Sequence, residues 1–265
     1  MTTVTSRDRL RQIVVTVSEV ACLAGTLVGT GLIGTRVEES AGGALSDEAT
    51  PLAPAGPAFS IWSVIYLGLL AYTVWQWFPA NAATERTRRT GWLVAVSMLL
   101  NATWLLVTQQ GWIWPSVVVI AVLMVVLGVA LVRLSEHPAR TTLERVVVDG
   151  TVGLYTGWVA VATCANTAAA LAASGVELDG SAADALGVAV LAAAVVVAAL
   201  LARRAGGRIA LALAMVWGLA WIAVGRLADE PSSTVIGVAA IVAALAVLAI
   251  VLLRRRQPGG VPAVA

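Results

Sequence analysis

Eight stretches of about twenty mostly apolar residues run along this 265-residue chain and restrict its fold more than any other feature. Hydrophobic residues make up 59% of the sequence and charged residues 12%, whereas about a quarter of the residues in a soluble domain are charged. The chain is therefore predicted to be an all-α, polytopic membrane bundle. The predicted spans are 12–34, 58–78, 91–109, 115–134, 147–173, 185–202, 209–227 and 233–253, with seven helices as the alternative because the last two abut closely.

Charged residues alternate in sign from loop to loop. All 17 basic residues are arginine, and all except Arg36 and Arg226 flank the same ends of the predicted helices. Arginine-rich loops stay in the cytoplasm, so the pattern predicts a multi-pass protein of the inner (plasma) membrane with both termini cytoplasmic. Topology accounts for the arginine clusters, so no nucleic-acid partner is expected. The opposite loops carry Glu38, Glu39, Asp47, Glu48, Glu177, Asp179, Asp184, Asp229 and Glu230.

Polar side chains within the apolar stretches fall on single helix faces. The patterns are Trp62-xxx-Tyr66, Asn101-xx-Trp104, Tyr155-xx-Trp158-xxx-Ala162-xxx-Asn166 and, in helix 1, Gln12, Thr16, Glu19, Thr26 and Thr30. At about 100° per residue each set forms one stripe. Polar groups in a bilayer face the bundle interior, so helices 1, 2, 3 and 5 are predicted to converge. The aliphatic helices 4, 6 and 8 are predicted to lie beside them or against lipid.

These patterns carry a resemblance to a known family. The segment from Pro54 to Trp75, with Pro57, Phe59, Trp62 and Tyr66, resembles the Pro-rich loop and second helix of the tryptophan-rich sensory proteins, the TspO and mitochondrial translocator protein (peripheral benzodiazepine receptor) family. Residues 100–104 and 154–166 resemble that family's third and fifth helices, and order and spacing hold across 12–173. Phe59 stands three residues before Trp62, where the family has four.

The resemblance implies a five-helix bundle, here residues 1–173, that binds a tetrapyrrole such as protoporphyrin, or a sterol-like amphipathic molecule, under the loop between helices 1 and 2. No cofactor is required for this role. Residues 174–265 would be accessory helices with a short basic cytoplasmic tail, and a homodimer is a further expectation. The implied ligand-binding residues are Pro54, Pro57, Phe59, Trp62, Tyr66, Asn101, Trp104, Tyr155, Trp158, Ala162 and Asn166.

Other functions remain open at this stage. Glu19 lies about 10 Å along helix 1, and as an intramembrane acid it favours the alternative of a proton-coupled secondary transporter of small amphipathic solutes. A second alternative is photo-oxidative degradation of porphyrin, which some family members are reported to carry out. Arg36, the one basic residue between helices 1 and 2, is the candidate partner for porphyrin carboxylates.

Several residues have structural interpretations. Trp75, Trp77, Trp92, Trp112 and Trp114 stand at predicted helix ends, where tryptophan commonly forms an interfacial belt. Asn101 and Asn166 could equally serve helix packing, and the glycines of Gly153-xxx-Gly157 are predicted to serve it by letting helices approach closely. Asp149, near the cytoplasmic start of helix 5, is predicted to be an interfacial or first-turn acid favoured by the helix dipole. Cys22 and Cys164 are predicted core residues without a disulfide, and the single histidine, His137, gives no basis for a metal site.

Overall fold

Eight helices long and apolar enough to cross a membrane are present in the part of the chain that the computed structural model describes, residues 3–29, 31–176 and 180–256. Both the all-α class and the number of spans are thus confirmed. The helices are α1 (Ser6–Gly29), α2 (Ile61–Trp75), α3 (Glu85–Gln109), α4 (Ile113–Glu136), α5 (Thr151–Ala173), α6 (Gly180–Ala205), α7 (Ile209–Ala228) and α8 (Thr234–Arg256). Residues 229–233 separate α7 from α8, so the seven-helix alternative is wrong. Thr30, Glu177 and Asp179 lie outside the described residues.

Local capping explains why two helices begin earlier than hydropathy alone predicts. At the start of α1, the Thr5 hydroxyl accepts the amide N–H of Asp8 at 3.3 Å, and the Asp8 carboxylate accepts the amide N–H of Thr5 at 3.0 Å. This reciprocal pair is a capping box. The Thr84 hydroxyl likewise accepts the amide N–H of Thr87 at the start of α3. Both caps lie in charged segments, where hydropathy does not indicate a membrane-spanning helix.

The four polar-striped helices converge, as predicted. The α1 helix packs on α3, while α5 contacts α2, α4 and α7, and α8 packs against both α7 and α6. The aliphatic helices α4, α6 and α8 lie outside and expose many large apolar side chains to the surroundings. The helix α7, in contrast, is as buried as α3.

Glycines on α5 permit the close approach of α7. A Cβ atom built on Gly153 would come within 2.9 Å of the Ala210 side chain, and one on Gly157 would collide with the backbone carbonyl of Leu211. Only glycine leaves room for this contact, in agreement with the packing role predicted for Gly153-xxx-Gly157. The C-terminal helices therefore share a tight interface with the predicted five-helix bundle.

Buried ion pairs join the helices at the arginine-rich end of the bundle. Asp149 is 9% exposed and pairs with Arg86 at 2.6 Å and with Arg208, while Glu144 pairs with Arg86 at 3.3 Å. Asp149 lies near the start of α5 at the arginine-rich end, as predicted, and cations from the start of α3 and from just before α7 enclose its carboxylate. Removing one partner from such a buried network typically costs about 3–5 kcal/mol.

The tryptophans at helix ends differ in environment. Trp77, Trp92, Trp112 and Trp114 are between 36% and 58% exposed, as a belt position requires, but Trp75 is 6% exposed and stacks on Tyr72 with ring centroids 6.2 Å apart. The belt prediction for Trp75 is therefore wrong, since its ring packs inward against a ring on its own helix. Cys22 is buried and Cys164 half-buried, and both are free thiols.

The chain between α1 and α2 folds over the other end of the bundle, here called the acidic end. A 3₁₀ segment at Val37–Gly43 and another at Gly56–Ser60 flank a series of turns. Residues 37–60 are called the lid below. Positive φ angles at Gly31 (79°) and Gly34 (115°) end α1 before the predicted residue 34 and redirect the chain into the lid.

Candidate functional site

A cavity lies beneath the lid at the acidic end, between α2, α3 and α5. It contains about 520 Å³ of empty space, a volume that includes the open space at its mouth. The lining is almost wholly apolar or aromatic and consists of Val37, Ala44, Leu45, Ser46, Thr50, Ala53, Pro54, Phe59, Trp62, Trp104, Trp158, Ala162, Ala165, Asn166 and Ala169.

An aromatic cluster forms one side of this cavity. Trp62 stacks on Tyr66 with centroids 5.3 Å apart, and its ring meets Tyr155 and Trp158 edge-on at 5.9 and 6.1 Å. Phe59 contacts Trp158 edge-on at 5.8 Å, so its spacing of three residues from Trp62 still places it in the cluster. Each such aromatic pair contributes about 0.5–1.5 kcal/mol of stability in addition to the contribution from the apolar area that it buries. The cluster therefore gives the cavity a firm wall.

Asn166 joins three helices at the cavity edge. Its Oδ1 accepts the indole N–H of Trp104 at 2.7 Å, and its Nδ2 donates to the Ser116 hydroxyl at 2.9 Å. Ser116 was not among the predicted site residues, although its hydroxyl interrupts the otherwise aliphatic α4. The amide of Asn166 thus fixes the position of Trp104 in the cavity wall.

Asn101, Tyr66 and Tyr155 lie one layer deeper than the cavity lining. The Asn101 amide donates to the Tyr66 hydroxyl at 3.0 Å and to the Cys22 sulfur at 3.4 Å. The Tyr155 hydroxyl donates to the backbone carbonyl of Ser97 at 3.1 Å. These residues support the aromatic wall from behind. Of the eleven implied site residues, seven thus line the cavity and three lie behind its wall. The eleventh, Pro57, is exposed in the 3₁₀ turn before α2.

Glu19 is buried within α1 next to this deeper layer. The residue is 2% exposed, and neither carboxyl oxygen has a hydrogen-bond partner among the described residues. Cys22 lies one turn further along the same helix. Burial of a carboxyl group without a partner is costly, so this position needs an explanation beyond packing.

The lid is fixed to α7 by a residue that sequence reasoning did not select. Arg226 is 1% exposed, and its guanidinium donates to the backbone carbonyls of Asp47 (3.0 Å), Thr50 (3.2 Å) and Pro231 (2.8 Å). The available signal was its position as one of two arginines at the acidic end. A guanidinium suits this role because its five donors can serve several carbonyls at once.

Two tryptophans of α7 hold the following part of the lid. The indole N–H of Trp217 donates to the carbonyl of Ala58 at 2.9 Å, and the carbonyl of Trp221 accepts the amide N–H of Ala55 at 3.2 Å. Within the lid, the Asp47 carboxylate accepts the amide N–H of Gly56 at 3.0 Å. The helix α7 therefore sets the position of the cavity roof.

The charge near the cavity mouth differs from the cationic mouth expected for porphyrin carboxylates. Arg36 is exposed and lies outside the cavity lining, and Glu38 follows the lining residue Val37. Burial, the Asp47 carboxylate and Glu39 raise the pKa of Glu38, while Arg36 opposes them. Glu38 therefore takes up a proton at a higher pH than an ordinary glutamate does, and its protonation reduces the negative charge beside the mouth.

Comparison with known proteins gives one positive finding. A family model described as TSPO-like protein matches residues 13–253. That range runs past residue 173 through α6 and α7 and almost to the end of α8, so the division into 1–173 and 174–265 stays a prediction. Comparison of the chain with curated proteins and with solved structures gave no match.

Proposed function

This chain belongs to the TSPO-like protein family, and we propose that it binds a tetrapyrrole such as protoporphyrin under the lid, as a membrane sensor or carrier. The observation that carries the proposal is the indole N–H of Trp158. Trp158 lines the cavity and is 1% exposed, yet its N–H has no hydrogen-bond partner in the described part of the chain. Buried donors are nearly always paired, so a ligand acceptor at this wall would complete the site.

The shape of the cavity suits a flat apolar ligand. Because Trp62 and Trp158 meet edge-on, no gap for a ring opens between them, and the ligand would lie between the aromatic wall and the lid. The small side chains of Ala162, Ala165 and Ala169 leave the α5 wall flat. A ring of porphyrin size would also require the lid to move outward, so binding and lid position would be coupled.

Titration with protoporphyrin tests the proposal. Quenching of tryptophan fluorescence in lipid nanodiscs should saturate. Trp158→Phe, which keeps an aromatic ring but removes the donor, should weaken binding at least tenfold, because a hydrogen bond to a charged acceptor contributes about 1.5–3 kcal/mol. Trp114→Phe is the matched control, since Trp114 is exposed and bonds Ser174 outside the cavity. Linear, non-saturating quenching, or equal affinities of the two variants, would count against the proposal.

The unpartnered carboxyl of Glu19 favours proton-coupled transport as a second candidate. A buried acid in a transmembrane segment commonly belongs to a proton relay. In proteoliposomes that contain a trapped pH-sensitive dye, external protoporphyrin should then drive proton movement in the native protein. Glu19→Gln should abolish that movement while leaving the affinity for protoporphyrin unchanged. Proton movement that persists in Glu19→Gln would exclude this role of Glu19.

A further inference from the structure

Four arginines at the ends of α6 and α8 form a group without acidic partners, called the C-terminal arginine cluster below. Arg203 and Arg204 lie in the last turn of α6, and Arg255 and Arg256 lie in the last turn of α8. All four side chains are exposed. Within the part of the chain that the structure describes, none of the four makes a hydrogen bond or an ion pair. Their guanidinium groups are therefore free to meet an anion from outside the protein.

Arginines at the same end of other membrane-spanning helices have partners. The guanidinium of Arg9 in α1 lies 5.9 Å from the centre of the Trp77 ring. In α3, Arg89 pairs with Glu85 at 2.6 Å, and in α4, Arg133 donates to the backbone carbonyl of Arg89 at 3.0 Å. Membrane topology explains why arginines gather at this end. It does not explain why those of the C-terminal arginine cluster lack partners.

An exposed apolar stripe leads up to each pair of arginines. On α6, Val196 and Leu200 are exposed, and the two arginines of this helix follow Leu200 by three and four residues. On α8, Leu245 and Leu252 are exposed, and the two arginines there follow Leu252 by the same intervals. Residues at these intervals share a helix face. Since both helices are long and apolar enough to span the membrane, the cluster lies where the hydrocarbon-facing surface ends, at the level of the lipid headgroups.

The two pairs of arginines meet at one edge of the bundle. The helix α8 packs against α6, and the turn after α6 lies directly against the last turn of α8. A Cβ atom built on Gly207 would collide with the backbone carbonyl of Val251 and with the Arg255 side chain. Gly207 follows the two arginines of α6 by three and four residues. The absence of a side chain at Gly207 therefore brings the two helix ends together.

The cluster keeps a positive charge after the helix ends are taken into account. Each helix C-terminus contributes about half a negative charge, so four guanidinium groups leave a net charge of about +3. A guanidinium binds phosphate oxygens through two parallel N–H···O bonds. A soluble anion would leave Leu200 and Leu252 uncovered beside it, whereas a phospholipid covers the leucines with its acyl chains and supplies the phosphate.

From these observations we propose that the C-terminal arginine cluster binds the headgroup of an anionic phospholipid such as phosphatidylglycerol, with its acyl chains along the stripes of α6 and α8. Phosphatidylethanolamine also carries a phosphate, but the cluster repels its ammonium group, so the anionic headgroup is favoured. The site lies at the end of the bundle opposite the cavity. It does not depend on the ligand there and can be tested separately from tetrapyrrole binding.

Native mass spectrometry of the detergent-solubilised protein tests the headgroup preference. The protein is titrated with phosphatidylglycerol or with phosphatidylethanolamine of the same acyl chains. The first phosphatidylglycerol should bind about tenfold more tightly, because several arginines act on one anionic headgroup. The double variant Arg203→Gln, Arg204→Gln and the double variant Arg255→Gln, Arg256→Gln should each reduce the preference to about twofold or less. A native protein that binds the two lipids equally would overturn the proposal.

A charge-matched control lies on α1 at the same end of the bundle. The double variant Arg7→Gln, Arg9→Gln removes the same charge from exposed positions and should keep the native preference for phosphatidylglycerol. If it loses as much of the preference as the α6 variant, the preference reflects the net charge of the protein, and the assigned site is wrong.

Photolabelling of the native protein in nanodiscs locates the lipid without any substitution. Phosphatidylglycerol that carries a diazirine on an acyl carbon near the glycerol is added in trace amounts, and the labelled peptides are identified by mass spectrometry. Residues 196–204 and 245–256 should be labelled, and an excess of unlabelled phosphatidylglycerol should compete more strongly than the same excess of phosphatidylethanolamine. Labelling of these segments no stronger than that of residues 7–17 on α1, or equal competition by the two lipids, would overturn the site.

Discussion

At the scale of single residues, the amide of Asn166 joins α3, α4 and α5 at the edge of the cavity. Asn166→Ala should lower the free energy of unfolding by about 1–3 kcal/mol, because it leaves the Trp104 indole N–H and the Ser116 hydroxyl without their partner in a buried setting. Unfolding in mixed micelles measures this change. Ser174→Ala is the control: it removes the partner of the exposed Trp114 and should cost much less. Equal losses would show that the Asn166 bonds contribute no more than a surface pair.

Glu38 should make the stability of the lid depend on pH. Its pKa is raised in the folded protein, so closing the lid favours the protonated acid. The lid should therefore be most protected below the ordinary pKa of glutamate and lose protection as the pH rises through the raised value. Hydrogen exchange of residues 37–60, corrected for the intrinsic pH dependence, measures this slope.

The matching variants identify the group responsible for that slope. Glu38→Gln should flatten it, whereas Glu39→Gln, at the exposed neighbouring position, should keep most of it. A slope that survives in Glu38→Gln would assign the titration to a group other than Glu38.

At the scale of secondary-structure elements, the lid depends on α7. Arg226→Met should increase hydrogen exchange across residues 44–58 about tenfold or more, because buried carbonyls without donors cost about 1–3 kcal/mol each and open to water instead. Arg133→Met is a matched change at the other end of the bundle, where the guanidinium donates to the carbonyl of Arg89, and it should leave lid exchange unchanged. Unchanged exchange in Arg226→Met would mean that the bonds of Trp217 and Trp221 suffice.

How much of these elements the sequence could predict depends on how far apart along the chain the contacting residues are. The stripe on each helix follows from residues three or four apart, as with Trp62 and Tyr66, so helix faces and their convergence were predictable. The bond from Arg226 to Thr50 joins residues 176 positions apart, and helical periodicity carries no information about which loop a helix end will meet. The prediction that Trp75 belongs to the interfacial belt was wrong for a similar reason. The enrichment of tryptophan at membrane interfaces is an average over many helix ends, and it does not say which neighbour one ring will contact.

At the scale of the whole molecule, the contact between α5 and α7 tests whether residues 174–265 are a separable addition. Gly157→Ala places a Cβ against the Leu211 carbonyl and should lower the midpoint of thermal unfolding by several degrees. Gly128→Ala is the control, because a Cβ there meets only Leu201 at 3.6 Å, an ordinary contact. If Gly157→Ala unfolds like Gly128→Ala, α7 contributes little to the stability of the first five helices, as a separable accessory bundle would require.

Orientation in the membrane is the remaining property of the whole molecule that its charges predict. All 17 basic residues are arginine, and all but Arg36 and Arg226 lie at one end; in short loops such residues resist translocation. In a Cys22→Ala, Cys164→Ala background, a membrane-impermeant maleimide added to intact cells should label Glu48→Cys and not Glu136→Cys, both exposed positions at opposite ends. Labelling of Glu136→Cys but not of Glu48→Cys would show that the orientation is opposite to the predicted one. The lid and the cavity mouth would then face the cytoplasm, and any tetrapyrrole would have to arrive from inside the cell.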